Sequence, residues 1–170
     1  MHGVTPSCTR SASRSSSCVE IVYLAQYPAF IPELAAWHQA EWAELEPEET
    51  VATRLRELQS YGAAGSFPTA LIAREGGELL GSALLVAHDL AIRPKLTPWL
   101  AGVYVKRERR GSGIASALVG AVLEEARTQG KPQLWLYTPH NASLYARLGF
   151  VAREHTRYRG SAITLMCLTL

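Results

Sequence analysis

Apolar positions along this chain switch between two spacings, and the switches mark its elements. Beyond Cys18, "VEIVYLA" reads as a first strand. From the Pro28 to Pro32 region, Ile31, Leu34, Ala35, His38, Trp42 and Leu45 recur at helical spacing through "FIPELAAWHQAEWAEL". After Pro47 a second helix puts Val51, Leu55 and Leu58 on one face, with Arg54, Arg56 and Glu57 around it, and Gly62 and Gly65 close it. "PTALIAREGGELLGSALLVAHDL" holds two strands joined at Gly76-Gly77, a hairpin signal. The two prolines of "AIRPKLTP" predict a loop, and "WLAGVYVK" a further strand.

From about Gly113 to Thr128 the pattern is again helical. Ile114, Leu118, Val119, Ala121, Val122 and Leu123 give a wide apolar arc suited to packing on a sheet, and Gly130 and Pro132 end it. "QLWLYT" is another strand, "ASLYARLGF" a short helix ending at Gly149, and "FVAREHTRYRG" with "AITLMCLTL" a closing pair of strands. The order β-α-α-β-β-β-α-β-α-β-β predicts a mixed α/β architecture, a largely antiparallel sheet with one βαβ crossover in its middle.

Composition narrows the class. With 170 residues, 48% of them apolar, the chain is expected to form one globular domain over residues 19–170. The Ser-rich stretch "MHGVTPSCTRSASRSSSC", residues 1–18, cannot bury a core and is expected to be a flexible tail. No window approaches the ~20 consecutive apolar residues of a membrane helix, so no membrane partner is expected. A net charge of +2 argues against nucleic acid as a partner, even through "KRERR". Cys8, Cys18 and Cys167 have no metal-ligand spacing; incidental reduced thiols in a cytoplasmic protein without a metal fit them.

The chemistry concentrates in "RRGSGIA", between the strand "WLAGVYVK" and the helix that follows. Amides at the start of a helix have no internal partners, and the helix dipole adds partial positive charge there. Gly111 and Gly113 remove side chains that would keep a phosphate from those amides, while Lys106, Arg107, Arg109 and Arg110 raise the local potential. A pyrophosphate is the natural guest. The nucleoside-triphosphate pattern G-x-x-x-x-G-K-[ST] is absent, and a dinucleotide fingerprint would need glycine where Ser116 stands.

"WLAGVYVK", "RERRGSGIASALV", "LWLYT" and "NASLYARLGF" together resemble the acetyl-CoA-binding half of the Gcn5-related N-acetyltransferases, the GNAT family. Arg110, Gly113 and Ala115 satisfy its signature Q/R-x-x-G-x-G/A, and a tyrosine followed by "LGF" stands about thirty residues on. "AAWHQAEW", "FPTALIA", "GSALLVAHDL" and "TPWLAGVYV" are similar to a bacterial branch of these enzymes. The resemblance implies a twisted, mostly antiparallel sheet of about seven strands flanked by about four helices. It also implies acetyl-CoA as co-substrate and direct transfer of its acetyl group to a primary amine.

Carried over by position, the resemblance implies that amides of Gly111, Ser112, Gly113, Ile114, Ala115 and Ser116 wrap the pyrophosphate of CoA, beside Arg110. Val103, Tyr104 and Val105 would pair with the pantetheine arm like an added strand. A bulge in that strand, which Gly102 permits, would aim an amide at the thioester oxygen. Tyr145 matches the general acid that protonates the departing thiolate. Asn141 would touch CoA, although it stands four residues ahead of Tyr145 where family members often place an asparagine about two helical turns ahead.

No motif fixes the base that the attacking amine needs, and Glu41 and Asp89 are the leading candidates. Trp37, His38 and Trp42 beside Glu41, His88 beside Asp89, and Trp99 are candidates for the acceptor wall. Acidic residues near the amine site suit a cationic small molecule or a peptide N-terminus. A different class, a CoA-binding regulatory module without chemistry, would keep the same residues except for the role of Tyr145. The last strand, "AITLMCLTL", could pair within the chain or across a homodimer.

Overall fold

The computed structural model of the protein describes residues 18–170. The tail expected over residues 1–18, with Cys8, lies outside the described residues except for Cys18, which is exposed. No described helix is long and apolar enough to cross a membrane.

The strands are β1 (Glu20–Tyr23), β2 (Thr69–Glu75), β3 (Glu78–Val86), β4 (Trp99–Val105), β5 (Gln133–Thr138), β6 (Val151–Tyr158) and β7 (Ser161–Thr169). They form one sheet in the order β1-β2-β3-β4-β5-β7-β6. The helices are α1 (Ile31–Trp42), α2 (Val51–Ser60), α3 (Ile114–Thr128) and α4 (Ala142–Arg147). Every neighbouring pair is antiparallel except β4 and β5, which run parallel and are joined through α3. The expected order of elements, mixed class and single crossover are therefore all present.

Both faces of the sheet are covered. Along β2, Ala70 and Ile72 join the core under α1 and α2, while Leu71 and Ala73 join the one under α3. Burial on both sides explains why "ALIA", residues 70–73, is apolar throughout rather than alternating. Thr50 starts α2 with a reciprocal cap: its hydroxyl accepts from the Thr53 amide at 3.1 Å, and the Thr53 hydroxyl accepts from the Thr50 amide at 2.8 Å.

The buried face of α2 differs from the expected one. Val51, in the first turn at the rim, is exposed, whereas Arg54 is buried with Leu58. The reason is polar pairing: Arg54 Nε donates to Gln39 Oε1 at 2.7 Å, and its guanidinium lies 2.7 Å from a Glu46 carboxylate oxygen.

Two irregularities in β4 shape everything beside it. First, its pairing with β5 is confined to Trp99 opposite Trp135, after which the strands part. Second, Ser82 of β3 faces Tyr104 and Leu84 faces Ala101, so Gly102 and Val103 together oppose Ala83. This is a β-bulge with glycine in the left-handed region, at φ +55°. Only glycine suits Gly102, since a Cβ there would also lie 2.7 Å from the Leu84 side chain.

A buried network ties the bulge to β3 and α1. The Ser82 hydroxyl donates to the Gly102 carbonyl at 2.7 Å, which uses its only proton. The 2.8 Å contact between Ser82 Oγ and His38 Nε2 is therefore donated by the imidazole. His38 is thus a neutral ring with its proton on Nε2, and burial, reinforced by the charge of Arg54, lowers its pKa to about 3. Ser82→Ala would strand both the His38 N–H and the Gly102 carbonyl, with an expected loss of about 1–3 kcal/mol in urea denaturation. A loss under ~0.5 kcal/mol, the scale of an ordinary surface substitution, would show that the network does not hold the bulge.

Candidate functional site

Two clefts lie along β4. One, of about 580 Å³, is lined by Val103, Tyr104 and Val105, by Arg109, Arg110, Gly111, Gly113, Ile114, Ala115 and Ser116 at the start of α3, and by Asn141, Ser143, Leu144, Tyr145 and Arg147 around α4. It opens where β4 leaves β5, so the β4 backbone beyond Trp99 has no strand on that side. Such an edge accepts an extended ligand arm as an added strand.

The start of α3 fits a pyrophosphate. Gly111 and Gly113 have φ of +78° and +84°, and a Cβ built on either meets nothing within 4 Å. The first backbone bond to close the helix runs from the Ala117 amide to the Gly113 carbonyl at 3.1 Å. Among the described residues, the amides from Gly111 to Ser116 have no backbone acceptor, which leaves a row of donors at a helix N-terminus.

Several of the loop's basic side chains are occupied elsewhere. Arg109 pairs with Glu75 and Lys106 with Glu78, both acids of the β2–β3 hairpin. Arg110 Nε donates to the Val105 carbonyl at 2.8 Å, and its guanidinium stacks 5.4 Å from the Tyr104 ring centre. Ser112 lines neither cleft; its hydroxyl donates to the Arg109 carbonyl at 2.5 Å. The amides are thus free groups of the loop, and so is the exposed Arg107 side chain, which has no carboxylate partner among the described residues.

The second cleft, of about 160 Å³, lies between α1, α2, the ends of β3 and β5, and the bulge. Its carboxylates are Glu41, Glu46, Glu57 and Asp89; Trp42, Tyr61 and Tyr137 supply aromatic surface, and no lysine or arginine lines it. The Tyr61 hydroxyl donates to Glu57 at 3.0 Å. Asp89 keeps some exposed surface in the cleft, yet it lies deep enough for burial to be the largest cause of its raised pKa. Glu46 and Glu57 add to the rise against the pull of Arg54, and the result is about 8. Burial, then nearby acids, also push the Tyr61 and Tyr137 hydroxyls up.

The two clefts meet. Glu41, Val103, Asn141 and Tyr145 line both. Tyr145 is 7% exposed, its ring packs edge-on to Phe150, and its hydroxyl has no hydrogen-bond partner among the described residues. Burial raises its pKa to about 12, so the hydroxyl is a neutral donor at physiological pH.

The expected acceptor wall is only partly assembled. Trp42, His38, His88 and Asp89 line the second cleft. Trp37 lines neither and stacks on Tyr104 at 5.3 Å. Trp99 has no exposed surface; its indole N–H donates to the Leu96 carbonyl at 2.6 Å, and it packs in the core. Glu46, Glu57, Tyr61 and Tyr137 were not singled out from sequence. On a helical wheel Glu57 is indistinguishable from a solvated acid, and the turn after α1 carries no motif.

Comparison with known proteins agrees with this geometry. The model of the acetyltransferase (GNAT) family matches residues 31–150. None of the curated proteins compared with the chain matches it significantly. Among solved structures, the yncA protein of Salmonella typhimurium, determined with its cofactor acetyl-CoA, superposes with a TM-score of 0.69 at 20% identity, over 89% of this chain and 94% of that one. A ribosomal-protein-alanine N-acetyltransferase from Brucella melitensis gives 0.69 at 22% identity, over 89% and 99%. An aminoglycoside 6'-N-acetyltransferase complexed with coenzyme A gives 0.69 at 16%, over 89% and 96%. With the family model spanning more than half of its length, and with the parted strands, bulge and amide-rich helix start in place, the chain belongs to the GNAT family of acetyltransferases.

Proposed function

We propose that the protein is an acetyl-CoA-dependent N-acetyltransferase that moves the acetyl group directly to a primary amine. The observation that carries this reading is the junction of the clefts at Glu41, Val103, Asn141 and Tyr145. The fold shared with an aminoglycoside and a ribosomal-protein-alanine N-acetyltransferase supports an amine acceptor. That shared with the yncA protein supports acetyl-CoA as the donor.

Bound acetyl-CoA supplies an activated acetyl thioester. The amides from Gly111 to Ser116 hold its pyrophosphate, and the free edge from Val103 to Val105 pairs with its extended arm. Asn141 adds a polar contact at the junction. An amide of the bulged segment Gly102–Val103 meets the negative charge that develops on the thioester oxygen as the amine nitrogen bonds to the carbonyl carbon. Glu41, directly or through one water, takes the proton the amine loses. Tyr145 gives its hydroxyl proton to the sulfur as the carbon–sulfur bond breaks. Asp89 lines only the acceptor cleft and belongs to acceptor binding, together with His88 and Trp42.

Acetyl-CoA with a panel of primary amines, followed by free-thiol release, tests the reading; no turnover on any amine together with no calorimetric binding of CoA would overturn it. Tyr145→Phe is expected to slow transfer by roughly 100-fold or more while leaving acetyl-CoA affinity within a few-fold of the parent. Gly113→Asp should abolish CoA binding, because a carboxylate would stand among the phosphate-facing amides at a backbone angle suited to glycine. Arg109→Ala, which frees Glu75, should only weaken binding; equal losses in the two variants would return the pyrophosphate site to the side chains.

A pH effect follows from Asp89. Its folded-state pKa of about 8 lies above the ordinary 3.8, so the fold keeps a proton that the unfolded chain releases. This contribution to stability is complete below about pH 4 and is lost as the pH rises to about 8. Asp89→Asn should remove that loss and leave the variant more stable than the parent at pH 8, measured by denaturation at pH 5 and pH 8. A parent-like slope in the variant would place the proton elsewhere.

A further inference from the structure

We infer that His38 and Ser82 are positioning residues for acetyl transfer: a hydrogen-bond relay from the His38 imidazole through the Ser82 hydroxyl to the Gly102 carbonyl aims and polarises the Val103 amide that meets the thioester oxygen. It rests on the acetyl-transfer reading above and names the residues that set its oxyanion donor.

Direction is the first ground. The peptide bond between Gly102 and Val103 is trans, so its carbonyl and its N–H point opposite ways. In the sheet β3 lies on one side of β4 and β5 on the other. The bulge takes Gly102 out of the register with β3, and a side chain of β3 replaces the missing partner: the Ser82 hydroxyl donates to the Gly102 carbonyl at 2.7 Å. With the carbonyl turned to β3, the Val103 N–H is turned the other way, to the side on which β4 has left β5. Val103 lines both clefts at that opening.

Polarisation is the second ground. The carbonyl and N–H of one peptide group share a conjugated system, so a proton donated to the oxygen makes the N–H a stronger donor. Ser82 gives its one proton to Gly102, and its oxygen accepts from His38 Nε2 at 2.8 Å. Imidazole, hydroxyl and amide thus stand as three donors in line, and each bond in such a chain strengthens the next. Negative charge that develops beyond the amide meets dipoles already oriented toward it.

The pair is also a costly way to fill a core. Both residues are buried, and Ser82 stands opposite Ile72 and two residues from Leu84, on a face otherwise packed with apolar side chains. Apolar residues would fill that space with no polar group to satisfy. The imidazole is held in place as well. It lies edge-on to Trp42, with ring centres 5.0 Å apart, and its Cε1 stands 3.2 Å from where a Cβ on Gly102 would be. Packing alone has no use for a donor fixed in this way on a bulge.

Infrared difference spectra of bound acetyl-CoA, isotope-labelled at the thioester carbonyl, test the relay without an acceptor, and kcat with the best amine of the panel tests it in turnover. In the parent the carbonyl band should lie below its position in free acetyl-CoA. Ser82→Ala should lose about half or more of that shift and about tenfold or more in kcat, with acetyl-CoA affinity by calorimetry within a few-fold of the parent. His38→Met, which keeps the Ser82 donor, should lose less of both in the same direction, and Ser82→Thr, which keeps the hydroxyl, should recover most of both. Ile163→Val, which only trims the core from β7, should leave the band in place. The relay is overturned, with acetyl transfer left standing, by an unshifted band in the parent, by a band that Ile163→Val moves as far as Ser82→Ala does, or by a parent-like band and kcat in Ser82→Ala or, should that variant not fold, in His38→Met. A parent that binds no CoA and acetylates no amine would overturn both.

Discussion

The separation of β4 from β5 is the constraint on which the rest of the molecule depends. A parallel pair inside a covered sheet ordinarily continues its ladder, because unpaired amides and carbonyls away from water are costly. Here pairing stops after Trp99 and Trp135, and β4 is held from its other side. Its ladder to β3 continues through the bulge, and the Ser82 hydroxyl, backed by the His38 ring, takes up the Gly102 carbonyl. The open edge is therefore a stable feature rather than a frayed one. It brings a strand edge, a helix start and the Tyr145 hydroxyl to one opening.

Charge is sorted along that opening. At the α3 end hairpin acids neutralise Lys106 and Arg109, so attraction for an anion comes from oriented amides that need no rearrangement, with Arg110 and Arg147 beside them in the cleft lining. Beyond the junction the lining is acidic and aromatic. Anionic and cationic groups are thus favoured at opposite ends of the opening. A protein with a net charge of only +2 can still orient two ligands in this way, because the sorting is local.

The architecture was legible in the sequence wherever local rules dominate. Two glycines before an apolar helix marked the amide-rich loop, Gly76-Gly77 marked the hairpin, and the alternation of helices and strands marked the single crossover. Long-range partners left no such trace. Arg54 reads as solvated until Gln39 and Glu46 are seen beside it. Trp99 reads as a binding wall until the strands bury it. Gly102 permits a bulge, but it is the register with β3 that creates one. The acidic cleft draws on the turn after α1, on α2 and on the loop after β3, so no window of the chain contains it.

The His38 and Asp89 side chains show how the site divides its electrostatic burden. Both are titratable groups held away from their charged forms, one by burial beside Arg54 and the other by burial beside Glu46 and Glu57. Their consequences differ. Neutral His38 completes a hydrogen-bond chain to the bulge, so its uncharged state serves the backbone geometry throughout the physiological range. Protonated Asp89 has no such partner. Its neutral form answers only burial and the repulsion of Glu46 and Glu57. The charge that burial withholds from Asp89 is therefore recovered only as the pH rises to about 8, at the expense of the fold's stability.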